Sequence, residues 1–108
     1  MKPIFKLWID NDGKVFGKGP LLLLEEVEKT GSLSEAAKVM GMSYNKAHTL
    51  IKRIEKNIET KLLIKKIGGV NGGSSTLTEE AKELILSYKN FHSECEEFIE
   101  KSFKKNFL

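Results

Sequence analysis

The sequence has a single cysteine, two prolines and no long hydrophobic run, and each scarcity excludes a class of protein. Cys95 cannot form an internal disulfide, which favours a reducing cytoplasm over a secreted, disulfide-linked fold. The longest uninterrupted apolar run is Leu21–Leu24. A membrane-spanning helix needs about 20 such residues, so no membrane partner is expected. Lys2, Pro3 and Lys6 interrupt the N-terminus, which therefore does not resemble a signal peptide.

The chain also lacks the residue constellations of an enzyme. With 108 residues it has room for one domain, 1–108, and one core. No nucleophile triad or paired carboxylates can be recognised, and the glycine pairs 68–69 and 72–73 lack the lysine and hydroxyl of a phosphate-binding loop. His92 and Cys95 lie close in sequence, but two ligands do not complete a metal site. We expect no enzyme and no cofactor, with a metal site shared across a dimer as a weaker alternative.

Turn and cap residues predict a β-hairpin followed by helices. Strand-like residues 5–9 and 14–16 flank Asn11-Asp12-Gly13, a typical hairpin turn. Gly17-Lys18-Gly19 is expected to end the hairpin. Pro20 suits the first position of a helix over 21–30, because its missing N–H costs nothing there.

The next stretch predicts two helices joined by a short glycine turn, about 32–59. Ser32 and Glu35 match a capping box, in which both side chains accept backbone N–H groups at the helix start. Gly41 is expected to close that helix, and Ser43 to cap a longer one over 44–58. Two helices so arranged form a helix-turn-helix, whose second helix enters the major groove of DNA.

The longer helix has an apolar side and a polar side. At about 100° per residue, one side collects its apolar residues, Ala47, Leu50, Ile51, Ile54 and Ile58. The other side has donor groups and no carboxylate, with Glu55 at the flank: Tyr44, Asn45, His48, Lys52 and Lys56, with Thr49 at the margin. Such groups can donate to base edges and phosphates, although for one helix considered alone a solvated face is the simpler interpretation.

Positive charge is concentrated on this helix and the residues after it. From Ser43 to Lys66 there are seven basic and two acidic residues, a net charge of +5. The whole chain carries +3, so the remainder carries −2. A positive field confined to one region favours a polyanionic partner.

A two-stranded wing is predicted over about 62–77, with a glycine-rich turn that lies along the DNA. We expect Asn45, His48 and Thr49 to read bases, with Asn45 the best match for adenine. Phosphate contacts are assigned to Lys46, Lys52, Arg53, Lys65 and Lys66. The full candidate DNA-binding set adds Ser32, Ser34, Ser43, Tyr44, Asn71 and Ser74.

Thr78 caps a final helix predicted over about 78–105, which carries an apolar stripe at alternating spacings of three and four. Such a stripe is typical of helix pairing, and we expect a homodimer through Leu84, Tyr88, Phe91, Cys95 and Phe98. The alternative is that the helix folds back on the chain's own core. A second alternative is a protein-interaction module without DNA binding, which docks a partner on Phe91, Phe98 and Phe103.

The run from Gly31 to Tyr44 resembles the helix-turn-helix of the ModE family of molybdenum-responsive regulators, and more loosely that of the LysR-type regulators. Tyr44 after the capping serine and the wing sequence favour ModE, and the similarity extends over about residues 5–105. The resemblance implies a winged helix that dimerises partly through its last helix. It also implies that the major groove is faced by Tyr44, Asn45, Lys46, His48, Thr49 and Lys52.

These observations predict a mainly α winged helix-turn-helix with small β elements. The expected function is a cytoplasmic, sequence-specific transcriptional regulator that binds double-stranded DNA at a palindromic operator as a homodimer. ModE proteins continue into molybdate-binding domains, whereas this sequence ends at Leu108. We therefore expect a ModE-like regulator without the oxyanion-sensing domain, which leaves open whether an effector is sensed.

Overall fold

A computed structural model describes residues 1–66 and 74–108 and places the elements in the predicted order. They are β1 (Ile9–Asp10), β2 (Lys14–Phe16), α1 (Lys18–Thr30), α2 (Leu33–Val39), α3 (Tyr44–Ile58), β3 (Leu63–Lys66), β4 (Ser74–Leu77) and α4 (Glu79–Phe107). Strands β1 and β2 form one antiparallel pair, and β3 and β4 form the other. This arrangement confirms the predicted winged helix-turn-helix. Within the described residues, no helix is both long and apolar enough to cross a membrane.

The core lies between the first three helices and is closed by the strands. Helix α2 packs against α1 and α3, and α1 also contacts β4. Small side chains are buried on two of these helices, Ala36 and Ala37 on α2 and Ala47 on α3. Because interaxial distance depends on the side chains at the contact, these alanines allow the helices to approach closely. The largest fully buried side chains are Phe16, Leu23, Leu24, Val27, Ile54 and Leu62.

Serine and threonine caps define the starts of α2, α3 and α4, as the sequence predicts. Ser43 Oγ accepts the N–H of Lys46 at 3.1 Å, and Thr78 Oγ1 accepts the N–H of Ala81 at 3.0 Å. Ser32 Oγ likewise accepts the N–H of Glu35 at 3.2 Å. Each of these bonds satisfies one of the donors that a helix start leaves free.

One of the two hydrogen bonds of the predicted capping box, from the Ser32 N–H to the Glu35 side chain, is wrong. The N–H of Ser32 donates to Thr30 Oγ1 at 3.3 Å instead of to Glu35. The carboxylate of Glu35 pairs with Lys38 one turn along the helix, at 3.4 Å. The hydroxyl of Thr30 is closer in sequence to the donor, so the glutamate is free to interact with its helical neighbour.

Helix α1 begins at Lys18, three residues before the predicted range 21–30 and two before Pro20, the predicted first position. Gly17 is its N-cap, and the N–H of Leu21 donates to Gly17 O at 3.0 Å. Pro20 is consequently the third helical residue rather than the first. The first four N–H groups of a helix have no partner inside it, so proline at this position still breaks no hydrogen bond.

Residues 1–8, which we name the N-terminal arm, lie outside the observed hairpin. The predicted strand over 5–9 is therefore wrong for residues 5–8. Strand β1 contains only Ile9 and Asp10, while Phe5 and Leu7 face α4. The Tyr88 hydroxyl donates to Leu7 O at 2.9 Å, and the Phe5 ring stacks on His92 at 4.9 Å between centroids. Two residues of an extended chain advance roughly 6.6 Å, which is close to the rise of one turn of an α-helix. Leu7 and Phe5, two residues apart, therefore meet Tyr88 and His92 on successive turns of α4.

Helix α4 packs on the core through its first half and projects beyond it through its second. Ala81 and Tyr88 are buried, and Leu84 packs against the core. Tyr88 and Leu84 therefore pack within the single chain, and their part in dimerisation stays a prediction. Farther along, Phe91 is 46% exposed and Phe98 is 71% exposed. The exposed part of the apolar stripe on α4 therefore centres on Phe91 and Phe98, with Cys95 half-buried between them.

Replacing Gly17 by alanine is expected to displace the single tryptophan. A Cβ at Gly17 would lie 2.6–2.8 Å from ring atoms of Trp8. We expect Gly17→Ala to lower the free energy of unfolding by about 1–3 kcal/mol and to shift tryptophan emission to the red as the ring becomes hydrated. Urea titration followed by fluorescence measures both effects.

Gly19→Ala is the matched control, because a Cβ there would meet nothing within 4 Å. Alanine is favoured over glycine in a helix, so this variant is expected to gain up to about 1 kcal/mol without an emission shift. Equal effects of the two substitutions would contradict the close packing of Trp8 on Gly17.

Candidate nucleic-acid interface

The polar side of α3 is exposed as one continuous face. The apolar residues Ala47, Ile51 and Ile54 are buried, and Leu50 and Ile58 pack against the core. This confirms the predicted inward side. His48 is half-buried, whereas the other predicted DNA-facing residues of the helix are exposed: Tyr44, Asn45, Lys46, Thr49, Lys52 and Arg53. The helix therefore presents amide, hydroxyl, imidazole and cationic groups together.

Tyr44 joins the start of α3 to the wing. Its hydroxyl accepts a hydrogen bond from Lys65 Nζ at 3.1 Å, and the same ammonium lies 5.6 Å from the ring centroid. The ring of His48 lies one turn along the helix, 5.8 Å from the Tyr44 ring. The structure thus brings together candidates on α3 and β3 that are 21 residues apart in sequence.

The serine candidates differ in how far capping occupies them. The hydroxyls of Ser32 and Ser43 accept backbone N–H groups at the starts of α2 and α3. A hydroxyl that accepts one bond keeps its own O–H to donate, so both serines could still contact a phosphate. Ser34 is exposed on the first turn of α2.

The described part of the wing presents its two lysines to solvent. Lys65 pairs with Ser75 and Lys66 with Ser74 in the β3–β4 register. Both lysines and Ser74 are exposed, whereas Ser75 is buried and donates its N–H to Gly31 O at 2.8 Å. The wing is thereby fixed to the end of α1. Asn71 and the rest of the glycine-rich turn lie outside the described residues.

Glu55 is the functional candidate that the sequence analysis missed. Instead of lying at the flank, its side chain is only 7% exposed. Oε2 accepts the N–H groups of Leu62 at 2.7 Å and Leu63 at 3.3 Å, where the chain enters β3. Oε1 lies 3.4 Å from Nζ of Lys52. One signal was available, since Glu55 follows the buried Ile51 by one helical turn and so falls on the edge of the apolar side.

Hydrogen bonds keep the Glu55 carboxylate charged despite its burial. Burial by itself raises the pKa of this group, but the N–H groups of Leu62 and Leu63 and the ammonium of Lys52 act in the opposite direction. The net effect is a pKa below the ordinary glutamate value. Lys52 is consequently an ion-pair partner as well as a phosphate candidate, with its side chain 48% exposed.

His92 and Cys95 lie on α4, away from this interface. His92 contacts the rings of Phe5 and Tyr88, and Cys95 is half-buried. In the described ranges, 1–66 and 74–108, no group of three or more histidine, cysteine, aspartate or glutamate side chains could hold a metal ion.

Comparisons with known proteins agree with this geometry. Residues 20–82 match the family of bacterial regulatory helix-turn-helix proteins of the lysR type. Over 97 residues the chain is 27% identical to the molybdenum transport protein ModE of Azotobacter vinelandii, covering 89% of this chain and 36% of that protein. Over 66 residues it is 35% identical to the DNA-binding transcriptional dual regulator ModE of Escherichia coli, covering 61% of this chain and 25% of that protein.

A solved structure shares the fold. ArgP from Mycobacterium tuberculosis superposes with a TM-score of 0.53 at 21% identity, covering 79% of this chain and 30% of that chain. In each comparison this chain matches only about a quarter to a third of the related protein's length.

The ion-paired Glu55 predicts a specific acid sensitivity of folding. Its pKa is lowered in the folded chain, so the stabilisation is present above the unfolded-state pKa and is lost as the pH falls through the folded-state pKa. We expect the free energy of unfolding to fall more steeply for the wild type than for Glu55→Gln between about pH 5 and pH 3. Urea titrations at a series of pH values measure this difference.

Glu28→Gln removes an exposed carboxylate from α1 and is the control. For Glu28→Gln we expect the free energy of unfolding to fall with pH as steeply as it does for the wild type. Parallel curves for the wild type and Glu55→Gln would contradict the described environment of Glu55.

Proposed function

The chain belongs to the lysR family of bacterial regulatory helix-turn-helix proteins, and we propose that it binds double-stranded DNA sequence-specifically as a homodimer to regulate transcription. One observation carries the proposal. The exposed donor face of α3 is joined to the wing by the Lys65–Tyr44 contact, so the helix and the basic strand form one surface. A helix in the major groove flanked by cationic groups matches the shape and charge of duplex DNA.

Base reading is assigned to Asn45, His48 and Thr49. Asn45 is exposed in the first turn of α3, the part of a recognition helix that contacts base edges. The side-chain N–H of Asn45 can donate to N7 of adenine, and its carbonyl oxygen can accept from the N6 amino group. These two hydrogen bonds form a bidentate pair. Thr49 lies one turn farther along the helix from Asn45, on the same side.

Phosphate binding is assigned to the exposed cations around that face: Lys46, Lys52, Arg53, Lys65 and Lys66. Such contacts fix the register of the protein on the duplex and carry no sequence information directly. They also make the affinity fall as salt rises, because each neutralised phosphate releases counterions.

Dimerisation is assigned to the projecting half of α4. Phe91 and Phe98 are large aromatic side chains on one side of the helix, two turns apart, and both are exposed in the single chain. Aromatic side chains are enriched in the buried centres of protein interfaces. Two-fold pairing would present two copies of α3 to the half-sites of a palindromic operator.

The ModE relatives are named as a molybdenum transport protein and a DNA-binding transcriptional dual regulator, and this chain covers only a quarter to about a third of their length. Molybdate binding is therefore not proposed for this chain. A regulator of this class acts on DNA in the cytoplasm, and we propose that location without a catalytic activity.

Asn45→Ala is expected to relax sequence preference. Loss of a bidentate base contact should lower the binding free energy by about 1–3 kcal/mol per site on the preferred duplex. The binding free energy on a scrambled duplex should not change. Fluorescence anisotropy with a duplex selected by the wild type and its scrambled counterpart measures the two affinities. Equal weakening on both duplexes would remove Asn45 from the base-reading set.

Lys65→Ala is expected to weaken binding on every sequence alike. The slope of log affinity against log salt should become shallower by about one unit for each copy of the site, because one phosphate contact is lost. Lys104→Ala, which removes an exposed cation near the far end of α4, is the control and should preserve the slope. An unchanged slope for Lys65→Ala would exclude it as a phosphate ligand.

Phe98→Asp is expected to dissociate the dimer, because a carboxylate would replace an aromatic side chain at the centre of the proposed interface. Its dimer dissociation constant should rise at least about tenfold, as sedimentation equilibrium measures it. Leu86→Asp is the matched control, since Leu86 is exposed on α4 but lies off the Phe91–Phe98 side. Dissociation by both variants or by neither would contradict this interface.

A further inference from the structure

We propose that Glu55 is a positioning residue that holds the wing at a fixed angle to α3, so that both meet DNA as one rigid surface. The inference rests on the proposed DNA binding but concerns a different residue, which is buried and touches no DNA itself. A carboxylate within a recognition helix would otherwise be unfavourable beside phosphates.

The first observation is the short connection between α3 and β3. Glu59 ends the helix in the left-handed conformation, with φ of 54°, and Thr60 N donates to Glu55 O at 3.1 Å. The Glu55 side chain then accepts the N–H groups of Leu62 and Leu63. The carbonyl and carboxylate of one residue therefore bind both ends of the turn that carries the chain from helix to wing.

The second observation is that the same segment is held from its other side. Thr78, the N-cap of α4, donates its N–H to Leu62 O at 3.0 Å and its hydroxyl to Lys61 O at 2.7 Å. Leu62 and Leu63 are themselves buried. Removing the carboxylate would leave two buried N–H groups without this acceptor, while Thr78 would still hold the strand to α4. The wing would then remain folded and bonded to α1 at Gly31, but the start of β3 would lose the buried hydrogen bonds that set its angle to α3.

The third observation is the position of Lys66 relative to the hydrogen bonds between Glu55 and the start of β3. Lys66 lies three residues after Leu63 on the same four-residue strand. A strand is stiff over that distance, so fixing its first residues fixes the position of the Lys66 Cα relative to the α3 face. The contribution of Lys66 to DNA binding should therefore depend on Glu55.

A double-mutant cycle tests this dependence. Affinities are measured for a fluorescent random-sequence duplex long enough to hold two half-sites, at about 0.15 M salt. Loss of one phosphate contact at that salt corresponds to about fivefold weaker binding. Lys66→Ala removes one contact from each subunit of the proposed dimer, so it should weaken binding in the wild-type background by about 25-fold. In the Glu55→Ala background the same substitution should change the affinity by less than about twofold.

Two further variants separate positioning from loss of charge. Glu55→Gln keeps an oxygen acceptor for the two N–H groups and should retain most of the Lys66 effect. Glu59→Asn removes a nearby exposed carboxylate and suits the left-handed backbone there, so the full Lys66 effect should remain. A full Lys66 effect in Glu55→Ala would overturn the inference, whereas no duplex binding by the wild type would overturn the proposed function instead.

Amide hydrogen exchange provides a test that needs neither DNA nor the alanine variant. The amide side chain of Glu55→Gln is a weaker acceptor than the carboxylate. Exchange should accelerate at Leu62 and Leu63 by more than at Thr78, whose N–H bonds to Leu62 O. Equal acceleration at all three would indicate general destabilisation and would contradict a positioning role.

Discussion

Burial of the apolar side of α3 is the interaction on which the rest of the structure depends. Ala47, Ile51 and Ile54 are in the core, and their burial fixes the rotation of the helix about its axis. Because the helix is amphipathic, that rotation determines which residues face solvent. Asn45, Thr49 and their cationic neighbours are thereby exposed on one side. The α3 part of the candidate interface is thus a consequence of core packing.

The wing is connected to this helix by interactions of a different kind. Polar bonds hold it at its base, from the buried Glu55, and near its middle, where Lys65 meets Tyr44. The charge of Glu55 lies inside an otherwise basic region and is balanced by two N–H groups and the ammonium of Lys52. A buried carboxylate with these partners adds little negative potential to the outer face, so the region remains attractive to a polyanion.

Regular local patterns made much of the fold predictable. Helix α3 was predicted with its observed bounds because a serine cap and a clear apolar side mark it. The start of α1 was missed although its Gly17 cap is local, whereas the N-terminal arm and the role of Glu55 were missed because their contacts lie beyond one helical turn in sequence. Tyr88 binds Leu7 across 81 residues of sequence, and Glu55 binds Leu63 across eight. Local propensity carries no information about such pairs.

The most direct test of DNA recognition is selection from a random-sequence duplex pool, with sequencing of the retained molecules. We predict enrichment of a two-fold-symmetric motif whose half-sites are separated by about one turn of the DNA helix, or by a multiple of it. Retention should also fall steeply as salt rises. Retention without any enriched motif, or no retention at all, would contradict sequence-specific recognition by a dimer.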